Sequence, residues 1–332
     1  MKIRSFLAKW SSLAALFALL PLAVPAQAEV IIVLNSRDAN VSLIDAATSQ
    51  LVGTVPTGKE PHHLYPTPDG KSVLVANAAS NDIAVLDPVT GQLKGRIKGI
   101  DDPYHLAISP NNKWMMIAAN RLDHVDLYEY RDNPDGVPSL KRVKRWAAPK
   151  VPSHIIWSSD SKWAYVSLQD SNELLAIDVE KGEIAWKHKV GKQPAGLAIT
   201  PDDRFVAIGI MGEDYVEVVD ARSPKTVRKV KTALGAHAFR PLGDKRHLFV
   251  SNRANNTVSM LDMTDWSIKA TFKTPSGPDC MEVSADMKTL YLTARWAKEL
   301  VVIDIASGKV TRTVKVGNSP HGVFIARRAG ML

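Results

Sequence analysis

VSLID at 41–45, IAVLD at 83–87, VDLYE at 125–129, LLAID at 174–178, VEVVD at 216–220, VSMLD at 258–262 and LVVID at 300–304 decide the fold. Successive copies lie 42, 42, 49, 42, 42 and 42 residues apart. A fixed period of this size marks an array of similar supersecondary units. The single excess of seven residues falls in the third unit, around Arg131-Asp132-Asn133-Pro134-Asp135-Gly136, a loop by composition. Each unit carries four short apolar runs. In one of them these are Val73–Ala76, Ile83–Leu86, Leu93–Ile97 and His105–Ile108, separated by turn clusters such as Asn77–Asn81 and Pro88–Gly91. Short β-branched runs bounded by Gly, Pro, Asn and Asp read as antiparallel strands. Four strands per unit, repeated seven times, predict an all-β, seven-bladed β-propeller of four-stranded antiparallel blades. Val30–Leu34 is expected as an outer strand. Val323–Ile325 is expected as an inner strand that pairs into the first blade and closes the ring, removing two open sheet edges.

Ahead of the repeats stands a different kind of segment. Lys2, Arg4 and Lys9 precede an apolar run from Leu13 to Val24, followed by Pro25 and the small-residue tripeptide Ala26-Gln27-Ala28. This is the pattern of a secretory signal peptide over residues 1–28, leaving 29–332 as one propeller domain. The run is shorter than the ~20 residues of a membrane span. The expected location is periplasmic. Cleavage takes three cations and no acid from a net charge of +8. The remaining surplus is too small to argue for nucleic acid. Cys280 is the only cysteine, which excludes an intrachain disulfide, a CxxC pair and a multi-cysteine zinc site.

A repeat lets each residue be compared with its counterparts in the other blades. Pro recurs at 61, 103, 152, 194, 278 and 320, with Ala236 as the exception, which suits a fixed turn into an inner strand. Asp69, Asn111, Asp160, Asp202, Asp244 and Asp286 recur at the opposite turn, where they can accept from nearby backbone N–H groups. The two columns after the Pro break this uniformity. The first reads His62, Tyr104, Ser153, Ala195, His237, Asp279, His321, and the second His63, His105, His154, Gly196, Ala238, Cys280, Gly322. Together they hold six of the nine histidines. In a propeller this point opens every innermost strand, so the residues converge at one mouth of the central channel.

Imidazoles beside a thiol and a carboxylate suit a transition metal, with the thiol favouring copper or zinc. The candidate metal ligands are His62, His63, His105, His154, His237, Cys280 and His321. Two alternatives stand beside this: a ligand-free polar funnel, and catalytic histidines without metal. His62, His237 and His321 also fit a Pro-His habit of the repeat itself. Arg37, Arg121, Arg253 and Arg295, with Trp296, occupy loops that open on the same side. They suit an anionic, flat cofactor, because guanidinium grips carboxylates and indole stacks on rings. Gly70-Lys71-Ser72 lacks the earlier glycine of a phosphate loop.

The phrases TPDGKSVLVANAASNDIAVLDPVTGQL (67–93), SPNNKWMMIAAN (109–120) and VGNSPHGVFIA (316–326) resemble YVTN-family propeller repeats, and the resemblance extends over all seven units. The His and Arg columns are similar to two metal-binding propellers. One is the haem-binding propeller of dissimilatory nitrite reductases and their haem-maturation relatives, where rim arginines hold a carboxylate-rich haem. The other is the copper-binding propeller of nitrous oxide reductase, where histidines including an adjacent pair, as in His62-His63, converge at the channel mouth. These resemblances imply copper or a non-covalent haem as cofactor, since the chain has no CxxCH for covalent attachment. They imply a monomeric carrier or accessory factor, working with a periplasmic redox or envelope protein, more than an independent enzyme. The competing expectations are an interaction scaffold using the rim loops and the third-unit insertion, and a lactonase-like hydrolase, since some seven-bladed propellers are lactonases.

Overall fold

The computed structural model describes residues 29–331; the expected signal peptide, 1–28, lies outside them. The described residues form seven four-stranded antiparallel sheets. The recurring VSLID-type run is the third strand of its blade. Asp82–Leu86, for example, is buried at every position. Blades pack face to face, so a central strand is covered on both sides and reads as a continuous apolar run. One such layer joins Val30, Ile32, Leu34, Val41 and Leu43 of the first blade to Val73, Val75, Ala84 and Leu86 of the next. The fourth strands are mostly exposed, as in Lys309–Lys315, and their Lys and Arg side chains guard the open edge against pairing with another sheet.

The repeated aspartates have the turn roles their columns imply. Asp45 and Asp87, ending third strands, each accept from two backbone N–H groups just beyond, at 2.7–3.0 Å. At the opposite turn Asp69, Asn111 and Asp160 accept from the backbone N–H two residues on, each at 3.0 Å. The seven extra residues sit between the longer strands His124–Arg131 and Ser139–Ala147. This insertion folds back onto the neighbouring blade. Ser72 Oγ donates to Gly136 O at 2.6 Å, and Val137 and Leu140 pack into the core between the two blades.

Closure follows the expected route, with one correction. The C-terminal strand Pro320–Phe324 pairs with Val30–Asn35 through Ile32↔Phe324 and Val33↔Val323. That sheet runs Pro320–Phe324, Val30–Asn35, Asn40–Asp45, Leu51–Pro56 from the channel outward. Val30–Asn35 is therefore a second strand, not an outer one. Its complete burial fits that position, which has a partner strand on each edge and a neighbouring blade on each face.

Candidate functional site

Each innermost strand starts at a position of the Pro column, and the residue before it always has a left-handed backbone. The φ values are 53° at Glu60, 43° at Asp102, 59° at Val151, 52° at Gln193, 85° at Gly235, 75° at Gly277 and 56° at Ser319. Immediately after, the pairing register slips: between Pro61 and Leu64, Pro103 and His105, Pro152 and Ile155, Pro194 and Leu197, Ala236 and Phe239, and Pro278 and Met281. In a regular strand consecutive side chains point to opposite faces. A bulge breaks that alternation and re-aims side chains. Both columns after the Pro therefore reach the channel, and His62 and His63 can serve one site. Hydroxyls on the second strands satisfy backbone groups freed at the bulges. The N–H of His154 donates to Ser167 Oγ at 3.1 Å, and Thr293 Oγ1 donates to His321 O at 2.7 Å.

The two columns form two stacked layers. In the upper layer the His62 ring lies 3.9 Å from Tyr104 and 4.0 Å from His321, centre to centre. In the lower layer His63, His105 and His154 form a triangle with centres 4.6, 5.0 and 5.1 Å apart. His63 joins the layers, 4.9 Å from His62 and 4.7 Å from His321. One ring nitrogen from each of His62, His63 and His321 falls in a common group within 4.8 Å of one another. His62 Nδ1, His63 Nε2, His105 Nδ1, His154 Nε2 and His321 Nε2 are all buried without a hydrogen-bond partner.

A second grouping within 4.8 Å comprises His237, Asp279 and His321. Here a cation is already present: Arg253 donates to Asp279 Oδ2 at 2.7 Å and lies 2.8 Å from His237 Nε2. Asp279 Oδ1 is 3.1 Å from His237 Nδ1, and Arg295 reaches Oδ2 at 3.4 Å. Arg253 thus turns inward as a counter-ion. The Asp101, His124 and Asp126 grouping on the third blade is similar, its carboxylates being bridged by Arg145 at 2.7 and 2.8 Å. Among the described residues, the His62, His63 and His321 group holds no cation, although Asp279 Oδ1 lies 3.7 Å from His321 Nε2. His105 and His154 border that group, and Cys280 Sγ is 3.6 Å from His321 Nδ1.

Burial sets the protonation states. It pushes the His62, His63, His154 and His321 imidazoles well below their ordinary range, with neighbouring His and Arg charges adding to the effect. His105 falls to about 3 through burial, and His237 to about 4 through burial and Arg253. At neutral pH the ring is neutral, the form in which imidazole ligates a metal. Burial would raise the Asp279 carboxyl, but Arg253, His321 and His237 outweigh it and hold it well below the usual range. Burial and then Asp279 push the Cys280 thiol up, so it is protonated when no metal is bound.

The rim arginines differ in their partners. Arg253 and Arg295 serve Asp279, while Arg121 donates to Asp102 at 2.7 Å and Glu60 at 2.8 Å. Arg37 is exposed and makes no ion pair among the described residues. Arg37, Arg121 and Arg295 line a rim pocket of about 260 Å³ with His62 and Tyr104 in its wall. Trp296 is 55% exposed beside Gly277, where a Cβ would meet its ring. Several contributors escape a search for metal ligands. Tyr104 shares the first His column, so the column itself carried the signal. Tyr65, whose Oη lies 2.7 Å from His105 Nε2, is two residues beyond His63 on the same strand.

A family model of YNCE-like β-propellers matches residues 6–330. The chain is 26% identical over 152 residues to the uncharacterized protein YncE of Salmonella typhimurium, covering 44% of this chain and 42% of that one. It is 25% identical over 170 residues to the protein NirF of Pseudomonas aeruginosa, covering 46% and 43%. These matches span less than half the length of either relative. Among solved structures, the dihydro-heme d1 dehydrogenase NirN in complex with DHE superposes with a TM-score of 0.64 at 15% identity, over 92% of this chain and 77% of that one. That likeness is one of fold. With seven repeats, seven blades and a family match over nearly its whole length, the chain belongs to the YNCE-like β-propeller family.

Proposed function

We propose that this protein is an exported β-propeller that binds a transition metal, copper first, through the histidine ring at one mouth of its channel. One observation carries the proposal. His62, His63 and His321 bring ring nitrogens within 4.8 Å of one another, and each has a buried nitrogen with no partner. A buried polar atom left unpaired costs about 1–3 kcal/mol, so several in one buried cluster favour a common partner. A divalent ion supplies one. Imidazole suits copper, zinc and iron, affinity peaks at copper, and a nearby thiol shifts the preference further to copper or zinc. His105 and His154 stand in reserve as further ligands. The role we assign it is carriage or delivery of that ion to a redox or envelope partner. The secretory pattern of residues 1–28 supports a periplasmic setting.

A second reading has its own support. The rim pocket bounded by Arg37, Arg121 and Arg295 lies directly over His62. Arg121 is held there by Glu60 and Asp102 and Arg295 by Asp279, so Arg37 is the arginine left for a carboxylate of a haem-type group, with His62 in the same wall. NirN, whose name and complex concern haem d1, shares the propeller fold, which makes this class the second to test. Elemental analysis and a visible spectrum of protein from its native compartment separate the two. Stoichiometric copper without a Soret band supports the first, and a Soret band the second. Colourless, metal-free protein that stays so after copper and haem titration refutes both.

A further inference from the structure

The channel does not run open from face to face. The cavity below the lower histidine layer has a volume of about 350 Å³, and it shares no lining residue with the rim pocket above. Between them lies the upper layer, where the His62 ring packs tilted at 3.9 Å on Tyr104 and 4.0 Å on His321, with His237, Asp279 and His321 almost fully buried. His63, His105, His154 and Cys280 therefore face the lower chamber, away from the arginines.

The chamber differs in character from the rim. Its walls are largely apolar, among them Leu197, Phe239, Met281 and Val323. Its ionic groups are spent on one another and on the C-terminal segment. Buried Arg240 donates to Glu282 Oε1 at 2.6 Å, to Ala329 O at 2.7 Å and to Gly330 O at 3.1 Å. Arg328 reaches Glu282 Oε2 at 3.2 Å, and Tyr65 is engaged with His105. The segment so held runs beside the chamber, with Arg328 and Met331 in its wall. Two guanidiniums share the one Glu282 carboxylate, so a cationic guest would meet like charge, and any charged guest would lose its hydration, a cost of several kcal/mol.

We propose that this chamber is a separate binding compartment for a small, uncharged, largely apolar molecule, admitted from the face opposite the arginines and brought to rest against the lower histidines. The proposal goes beyond metal binding and stands whether or not the ring holds an ion. If it does, the guest and the rim ligand approach that ion from opposite sides.

Cys280, the only thiol, reports on access because it lines the chamber. On metal-stripped full-length protein, its modification rate is measured with a neutral, an anionic and a cationic methanethiosulfonate, each normalised to free cysteine. The neutral reagent is expected to react at least tenfold faster than either ion, and saturating toluene to slow it at least tenfold. Leu197→Trp, or Ala107→Phe should that variant fail to fold, is expected to slow the neutral reagent and abolish the toluene effect. An anionic reagent that reacts fastest would mean either a chamber that selects for charge through Arg240 and Arg328 or access from the rim side. That result, or neutral labelling indifferent to toluene, overturns the proposal. Copper titration of the same preparations tests the metal site independently.

Discussion

His321 belongs to both histidine groupings, and what distinguishes them is the charge already in place. Around Asp279 the cation is Arg253; between His62, His63 and His321 there is none. Asp279→Asn is therefore expected to leave Arg253 and Arg295 without their counter-ion close to His321, whose Nε2 lies 3.7 Å from the carboxylate. Copper affinity should drop about 10–100-fold through the uncompensated positive charge. His63→Ala should cost more than that range, because His63 joins the two layers; calorimetric titration ranks them. The same imidazoles predict a pH dependence. Their folded pKa values lie below the ordinary 6.5, reaching about 3 for His105 and about 4 for His237. Between those values and 6.5 the unfolded chain takes up more protons than the folded one. Stability is thus fully present above pH 6.5 and falls as pH drops toward 3. Thermal melts of metal-free protein across that range check the sign. These histidines are legible in one dimension, as unlike residues at like positions of the repeat. Which of their nitrogens approach one another is set only in three dimensions. The Pro-His pairs that fit the repeat's own habit include His62 and His321, which the structure groups with His63.

At the scale of the element, the inner-strand bulge gives two adjacent residues access to one channel. Turn residues, strand count and insertion were legible because Asp, Asn, Pro and Gly act locally. The bulge was not, since it depends on how the inner strand meets its neighbour. The same limit explains the misplacement of Val30–Asn35, whose rank in the sheet is set by the last strand of the chain. Bulge backbone groups depend on single hydroxyls. Ser167 Oγ accepts from His154 N and donates to Ala195 O at 2.7 Å, both buried. Ser167→Ala should cost about 1–3 kcal/mol in urea unfolding through the unpaired groups it leaves. An exposed serine such as Ser139 should show almost none of this loss.

For the whole molecule, the ring is closed by one strand supplied from the far end of the chain. Phe324 is 3% exposed and packs with the first two blades. Phe324→Ala should destabilise by about 3–5 kcal/mol, the usual range for emptying a large aromatic site. Removing residues 320–332 should abolish the single cooperative melt, because it deletes the inner strand of a blade and His321 with it. The ring also explains how one chain gathers ligands about 260 residues apart in sequence at a single mouth, as in His62 and His321. Copper(II) titration of the metal-stripped protein, followed by electron paramagnetic resonance, tests that convergence most directly. The account predicts one saturable site per chain, with nitrogen hyperfine splitting from three imidazoles that loses one nitrogen in His321→Ala. A featureless signal of unbound copper, or a spectrum unchanged when His62, His63 and His321 are all replaced by Ala, would contradict it.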